Sequence, residues 1–585
     1  GEALVVDTSK YLNQVLEYDA DAATVTVQPG LVLDRLNAFL KPHGVFFPID
    51  PSTASRATLG GIVGNNSCGG RSIRYGLTVH NVRAIEAVMA DGAAVRFGPV
   101  PGDLDTLAGK PGYVALVRAM RELGAREGAE VARRFPKLLR RVGGYNIDTI
   151  ASGGHNMAQL LVGSEGTLAF FRRLELAVHP IPAHRVLGIC HFVDFRHAME
   201  ITRHIVALEP DAVELMDSTM IGLARAIAAY RPIIERFVSG APEALLMVEF
   251  AGEDAAALAR KLGELGELLA DHGFADTMLE VTEPAFMADI MEVRKAGLNI
   301  MMSMKGDGKP ISFIEDCAVP LEDLAAYTGR LTEVFDKHGV AGTWYAHASV
   351  GCLHVRPVLN MKDGGDVVKM REIAEEAFAM VREYKGSHSG EHGDGLVRSE
   401  FHEPMFGSQI VRAFEEVKRA FDPDGLFNPG KIVDPSRMDD RSLFRYRPDY
   451  AAVPLETALD WSAWGGFTPA VELCNNNGAC RAAAGVMCPS FRVTADEQHV
   501  TRGRANALRL AITGQLGDGA LASKDMAAAM DLCISCKGCR RECPTGVDMA
   551  RMKIEFLHHY RKSHRLRPRE RLFAWLPRYA PWIGR

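Results

Sequence analysis

The sequence predicts an α+β protein of several domains, and three observations carry that prediction. At 585 residues the chain exceeds one ordinary core, so about three or four domains are expected. Short strand-like runs alternate with helical stretches and glycine clusters as far as residue 432. Beyond that point the composition changes, and seven of the 11 cysteines crowd between Cys474 and Cys543. Disulfide frameworks do not crowd thiols in this way, so the cluster points to metal ligation in a reducing compartment.

The remaining totals exclude function classes. Apolar residues make up 47% and charged residues 24%, as in a globular chain. A net charge of -6 gives no overall attraction to nucleic acid, and none is expected as a partner. No run approaches the ~18 apolar residues of a membrane span, and the N-terminus lacks a basic region followed by an apolar stretch. A cytoplasmic protein is therefore expected.

The elements follow in order. The chain opens in a strand-like run, Leu4 to Val6, without an initiator Met, so an upstream segment is expected to be missing. Residues 1–180, with strands such as Ala23 to Val27, read as a first α+β domain. Residues 181–432 read as a second, in which Val186 to Val193 is a strand and Phe195 to Ala207 a helix. Residues 433–469 are rich in Arg, Asp and Pro and read as a linker. The cysteine-dense domain spans 470–550, with a helix expected from Arg504 to Thr513. In the closing segment, 551–585, arginines mix with Phe573, Trp575, Leu576, Tyr579 and Trp582. Peripheral contact with a membrane and passage into a further domain both fit that composition.

Cys533, Cys536, Cys539 and Cys543-Pro544 have the C-x2-C-x2-C-x3-C-P spacing of ferredoxins, in which the last cysteine serves a second cluster. Zinc ribbons, the alternative, separate two cysteine pairs by a long loop. The earlier group, Cys474, Cys480 and Cys488-Pro489, has Asn477 where another cysteine would fall. If the ferredoxin crossover holds, Cys533, Cys536, Cys539 and Cys488 complete one [4Fe-4S] site. Cys474, Cys480 and Cys543 then form a second, which is either [3Fe-4S] or completed by a non-cysteine ligand.

The N-terminal domain carries Asp50-Pro51-Ser52-Thr53, a glycine-dense run from Ala57 to Gly70, and Tyr75-Gly76. Such glycines let backbone amides approach a flat ring and a pyrophosphate. Neither a G-x-G-x-x-G nor a G-x-x-x-x-G-K-[ST] loop is present. Together with Arg141-Val142-Gly143-Gly144-Tyr145-Asn146 and Gly163-Ser164-Glu165-Gly166-Thr167-Leu168, these segments resemble the FAD domain of the vanillyl-alcohol-oxidase (PCMH) type. The resemblance runs through Phe427-Asn428-Pro429-Gly430-Lys431 and covers residues 1–432. It identifies the family of D-lactate, glycolate and D-2-hydroxyglutarate dehydrogenases, here fused to a helical, ferredoxin-like iron-sulfur domain. It implies that Pro51, Thr58, Gly60, Gly61, Gly64, Asn65, Asn66, Ser67, Gly70, Tyr75 and Gly76 grip FAD, with Glu165, Gly166 and Asn428 nearby. The family's first glycine-rich pyrophosphate loop would precede Gly1, so the FAD domain is expected to be incomplete.

Two segments carry the expected chemistry, His347 to His354 and Ser389 to Gly395. His347, His354 and Glu391 make a three-ligand site for a borderline divalent cation, zinc or manganese, and match the family's metal motif. The resemblance makes His392 the general base; orienting Glu391 is its alternative role. Arg294 corresponds to the family's carboxylate-binding arginine. Where mitochondrial-type relatives keep Asn and Lys, this sequence has Arg356 and Ile314, so Arg356, Lys305 or Lys309 is expected to meet a second carboxylate. Solvated loop charge is the alternative for the lysines. The expected reaction is oxidation of D-2-hydroxyglutarate, with D-lactate or glycolate as alternatives and a non-catalytic electron-transfer subunit as the other class. Electrons would pass from the flavin through the clusters to a quinone or carrier protein. A homo-oligomer is compatible with the sequence.

Overall fold

The computed structural model describes residues 4–107, 111–150, 154–227, 230–302, 304 and 306–583. The chain divides into two compact units, Gly1–Arg445 and Tyr446–Arg585.

The first unit holds two principal sheets. The first comprises β1 (Val15–Asp19), β2 (Thr24–Val27), β3 (Val82–Val88), β4 (Ala94–Phe97) and β5 (Phe170–Ala177), in the order β1-β2-β5-β3-β4. Strand β2 shows the expected alternation: Val25 and Val27 point into the core, and Thr24 and Thr26 are half-buried. Leu4 to Val6, in contrast, forms no strand. These residues pair with nothing described and are exposed, Leu4 by 91%. A strand needs a ladder partner, and no described strand pairs with this segment. Two helices of the unit matter below: α1 (Leu59–Asn65) and α2 (Pro111–Arg134).

The second sheet has seven strands. They are β6 (His184–Phe192), β7 (Ala212–Asp217), β8 (Ala244–Gly252), β9 (Met278–Val281), β10 (Lys309–Pro310), β11 (Gly342–His347) and β12 (Cys352–Leu359), in the order β9-β6-β8-β7-β11-β12-β10. All its pairings are antiparallel. Central strand β8 is buried on both faces. Leu245 and Met247 join a cluster with Ile290 and Val293 of α5, whereas Leu246 and Val248 join the main core with α3 and α4. That two-sided burial explains its unbroken apolar sequence. The flanking helices are α3 (Phe195–Val206), α4 (Ala255–Asp271), α5 (Pro284–Met302), α6 (Leu324–His338) and α7 (Gly364–Glu383). The expected strand and helix at Val186 and Phe195 thus appear as β6 and α3.

The regular elements described in the second unit are all helical. They include α8 (Thr501–Ile512), α9 (Gly538–Glu542) and α10 (Met549–Ser563). Helix α8 begins three residues before the expected Arg504. Its core combines Trp461, Phe467, Leu508 and Phe556 with Cys474, Cys480, Cys488 and Cys539. Buried Glu555 on α10 accepts from the amides of Ala458 and Leu459 and from Trp461 Nε1, fixing the segment that leads into the unit. Among the described residues, no helix is long and apolar enough to cross a membrane.

Candidate functional site

The glycine-dense run forms α1 and the turns around it. Thr58 caps the helix, its Oγ1 accepting from Gly61 N at 3.4 Å, a contact that stabilises a helix start by about 1 kcal/mol. The helix ends at Asn66, in the left-handed region with φ 53°, whose Oδ1 accepts from Val79 N. The glycines then divide by role. A Cβ on Gly60 would lie 2.7 Å from Pro29, and one on Gly70 would overlap Glu214, so these two permit close packing. At Gly64 and Gly166 a Cβ would meet nothing within 4 Å. Both face a hollow of about 190 Å³ that also borders Gly60, Gly61, Phe170 and Phe427. A floor that side chains would fill suits a flat cofactor lying on backbone, and FAD fits these residues. Glu165 and Asn428 flank it, Asn428 Nδ2 donating to the Glu165 carbonyl at 2.7 Å. Burial and the neighbouring Asp394 push the Glu165 carboxyl up to about 7. Tyr75 packs edge-on against Phe46 and His179, and Gly76 turns against His80, so neither borders this hollow.

A second cavity, of about 360 Å³, is bordered by Pro51, Asn65, Ser67, Arg294, Lys295, Tyr345, His347, Arg356, Glu391 and His392. The β11-β12 hairpin builds one wall. Its register pairs Thr343 with Arg356, Tyr345 with His354 and His347 with Cys352. Alternation therefore puts Tyr345, His347, His354 and Arg356 on one face of the hairpin. The tight connection needs Gly351, at φ 64°, where a Cβ would overlap the Val319 carbonyl.

The opposite wall is the loop from Ser389 to Gly395, wound around a residue that sequence reasoning missed. Buried Asp316 accepts from the amides of Gly390, Glu391 and His392 at 2.8 to 2.9 Å. Glu391 Oε1 thereby lies 3.1 Å from His347 Nε2 and 2.9 Å from His354 Nε2. Each ligand-type group is held from behind. His354 Nδ1 donates to the Glu315 carbonyl at 2.8 Å, His347 Nδ1 lies 2.8 Å from Glu214, and Glu391 Oε2 accepts from fully buried Arg140 at 2.7 Å. Burial pushes His354 down to about 4, so its ring is neutral at pH 7. With Nδ1 donating, the bare Nε2 lone pair faces a carboxylate oxygen without an aligned hydrogen bond. Two acceptors this close repel unless a cation lies between them, and a divalent metal fits this set. Burial opposes the charge on Glu391, yet His347 and Arg140 outweigh it and hold the carboxyl well below its usual range.

His392 stacks on His354 with ring centroids 4.9 Å apart. Its Nδ1 lies 3.0 Å from Glu315 Oε1 and its Nε2 3.6 Å from Glu391 Oε1, and a third of the side chain is open. Burial lowers its pKa, but Asp316 and Glu315 reverse the effect and the net shift is upward. The ligand atoms of Asp316, His354, Glu391 and His392 lie within 4.8 Å of one another. The two arginines differ. Arg294 is ion-paired with Glu214, whereas Arg356 donates from Nε to Ser312 Oγ and keeps a buried Nη1 without a hydrogen-bond partner. Lys309 does not reach this cavity; its Nζ donates to the Met304 carbonyl. Lys305 lies outside the described residues.

In the second unit, Cys488, Cys533, Cys536 and Cys539 border one hollow together with Thr501, Arg504 and Met549. None of the 11 cysteines forms a disulfide. Backbone amides face several of the sulfurs: Thr501 toward Cys488, Arg502 toward Cys480, and Met549 and Ala550 toward Cys539. These amides open α8 and α10, where helix N–H groups are unpaired and favour negative charge. A four-thiolate cluster fits that hollow. Cys480 neighbours Cys474, and Asn477 accepts through Oδ1 from the Ala479 amide at 2.8 Å.

Comparison with known proteins places this geometry in a wider setting. The family models for the FAD binding domain, the FAD linked oxidases' C-terminal domain and the 4Fe-4S dicluster domain match residues 1–98, 181–432 and 470–547. The D-2-hydroxyglutarate dehydrogenases of Escherichia coli (strain K12) and Pseudomonas putida are 30% and 31% identical over the whole chain. The chain spans 62% of the length of each. The glycolate oxidase subunit GlcD of Bacillus subtilis is 25% identical over 72% of this chain and 78% of its own length. In fold, the 4-ethylphenol oxidase of Gulosibacter chungangensis aligns over 73% of this chain and 79% of its own, with a TM-score of 0.51 at 14% identity.

Proposed function

We propose that this chain, which matches the models for the FAD binding domain, the FAD linked oxidases' C-terminal domain and the 4Fe-4S dicluster domain, is the flavin and iron-sulfur part of a D-2-hydroxy acid dehydrogenase. D-2-hydroxyglutarate is the leading substrate, and D-lactate and glycolate are the alternatives. One observation carries the reading: His347, Glu391, the partly open imidazole of His392 and Arg356, whose Nη1 has no partner, border one cavity with Asn65, the residue after Gly64 of the glycine floor, while His354 lies against Glu391 just behind the cavity wall.

Oxidation removes a hydride from the α-carbon and a proton from its hydroxyl. FAD, when bound, supplies the hydride acceptor and converts a two-electron step into single-electron ones, while a divalent cation supplies Lewis acidity at the hydroxyl. His347, His354 and Glu391 hold the cation, zinc or manganese. His392 accepts the hydroxyl proton at Nε2, and the Glu315 carboxylate, 3.0 Å from Nδ1, stabilises the resulting imidazolium. Arg356 offers its Nη1 to the distal carboxylate that distinguishes 2-hydroxyglutarate from lactate. Arg294 binds the α-carboxylate only by sharing its guanidinium with Glu214. Gly60, Gly61, Gly64 and Gly166 line the flavin floor, and Glu165 and Asn428 flank it.

Cys488, Cys533, Cys536 and Cys539 hold one [4Fe-4S] cluster. Cys474, Cys480 and Cys543 hold a second of [3Fe-4S] type, since the Asn477 side-chain oxygen already serves a backbone amide. Electrons leave to a quinone or a carrier protein. The exposed Phe573, Trp575 and Trp582 among arginines suit peripheral contact with a membrane.

The test is flavin bleaching in the full-length protein, with D- and L-2-hydroxy acids, before and after chelation. D-2-hydroxyglutarate is expected to bleach the flavin and to do so more slowly once metal is removed. Absence of bleaching with every D-acid would overturn the proposal. Faster bleaching by D-lactate would move the substrate to that rival, and undiminished activity without metal would remove His347, His354 and Glu391 from the mechanism.

A further inference from the structure

A second group of ligand-type side chains lies apart from this cavity, and the proposed reaction uses none of them. His388, Asp394 and His402 are buried, with at most 2% of each exposed, and their ligand atoms lie within 4.8 Å of one another. His402 donates from Nδ1 to the Ile432 carbonyl at 3.0 Å. Its Nε2 then faces Asp394 Oδ2 at 3.1 Å without an aligned hydrogen bond. His388 Nε2 lies 3.6 Å from Asp394 Oδ1, and neither nitrogen of that ring has an aligned hydrogen bond, although the Arg398 backbone is close. Asp394 Oδ2 accepts from Gly144 N at 2.7 Å, and Oδ1 has no partner. Buried polar atoms without an aligned hydrogen bond are costly, and four converge here. The surroundings do not relieve them, because the rings of Phe378, Phe406 and Phe414 pack against the two imidazoles.

We propose that His388, Asp394 and His402 bind a structural divalent cation of the zinc class, separate from the one assigned to His347, His354 and Glu391. Zinc with bonds of about 2.0–2.1 Å in tetrahedral geometry separates neighbouring ligand atoms by roughly 3.3 Å. Each imidazole Nε2 lies near that spacing from one oxygen of the Asp394 carboxylate, 3.1 Å from Oδ2 for His402 and 3.6 Å from Oδ1 for His388. Two imidazoles and one carboxylate suit a borderline cation better than magnesium or calcium, which favour oxygen. The competing arrangement, a protonated His402 paired with Asp394, leaves His388 Nε2, 3.6 Å from Asp394 Oδ1, without an aligned hydrogen bond. The cation would tie the Gly143-Gly144 turn to the segment from His388 to His402. Close approach there is built in: a Cβ on Gly143 would lie 2.8 Å from His388 Cε1 and 3.2 Å from Asp394 Oδ1.

The test uses the full-length protein grown with zinc, combining metal analysis with anomalous diffraction at the zinc edge. Two non-iron divalent cations per chain are expected, with one anomalous peak between His388 Nε2, His402 Nε2 and Asp394. His402→Gln should remove that peak and lower the count from two to one, whereas His354→Gln should leave it and remove the other. A wild-type crystal with no peak at this position overturns the proposal, whether or not the variants fold. A metal count unchanged by His402→Gln overturns it as well.

Discussion

The cavity of the first unit and the cysteine hollow of the second hold their ligand atoms by different means. Behind His347, His354 and Glu391 stand Glu214, the Glu315 carbonyl and Arg140. Two of these three are charged side chains that one substitution can remove. Behind Cys480, Cys488 and Cys539 stand backbone amides at the starts of α8 and α10, which no substitution removes without rebuilding a helix end. The first site can therefore be tuned through its supports, and the second can be broken only at the ligands themselves. A further contrast follows. The ligand candidates of the first cavity adjoin a sheet-based apolar core without being members of it, whereas the cysteines of the second unit are themselves part of the small core of a helical unit.

The largest expected effect tests the division of labour in the first cavity. His392→Ala removes the proposed base and should lower kcat by roughly 10²–10⁴-fold. The metal content should stay the same, because the cation is assigned to the neighbouring three side chains. Steady-state kinetics with metal analysis on the same sample separates the roles, since parallel loss of metal would make His392 a ligand, as its place beside Asp316, His354 and Glu391 allows.

Next in size is a change confined to the second unit. Cys488→Ser should remove about four irons per chain and the matching paramagnetic signal, because one four-thiolate site loses a corner. Flavin reduction by substrate should continue, while turnover with a cluster-dependent acceptor stops. Because the cysteine sulfurs lie within the helical core, proteolysis should then cut preferentially after Arg445. An unchanged iron count would break the assignment of Cys488 to the group of Cys533, Cys536 and Cys539.

The two regions were also unequally legible in sequence. The thiols were found by spacing, because neighbouring cysteines in one short segment surround one hollow, and Cys488 joins them as the crossover predicts. Ligand candidates of the first cavity were found because they lie in two short segments. Their supports were not: Arg140 is 251 residues from Glu391, Glu214 is 133 from His347, and Asp316 is 74 from Gly390. No periodicity connects positions that only the antiparallel sheet brings together, and a buried acid in Val213-Glu214-Leu215 reads like any interruption of a strand. Chemistry in a segment is visible to sequence reasoning, whereas distant contacts that set its charge state are not. Lys309 shows the converse. Its place in a charged loop suggested a ligand, but its amine is already engaged by the Met304 carbonyl.

Glu214 gives the smallest and most diagnostic effect, since it supports His347 without touching the proposed cation. Replacing an outer-shell carboxylate typically lowers metal affinity by about 10–100-fold, so Glu214→Gln should do so while leaving all three ligands in place. Its pH dependence adds a second reading. Burial raises the Glu214 pKa, but Arg294 and His347 overcome it and hold the group down at about 2, against an ordinary value of 4.5. A folded-state pKa below the unfolded one means that the unfolded chain binds more protons in this interval. The stabilisation from Glu214 is therefore fully present above about pH 4.5 and is lost as pH falls toward 2. In metal-free protein, the gap in Tm between wild type and Glu214→Gln should be widest near neutrality and should narrow on acidification from about pH 4.5 toward 2. A gap that stays constant as pH falls from about 4.5 toward 2 would mean that Glu214 acts through packing alone, and the supports of this cavity would then resemble the uncharged ones around the cysteines.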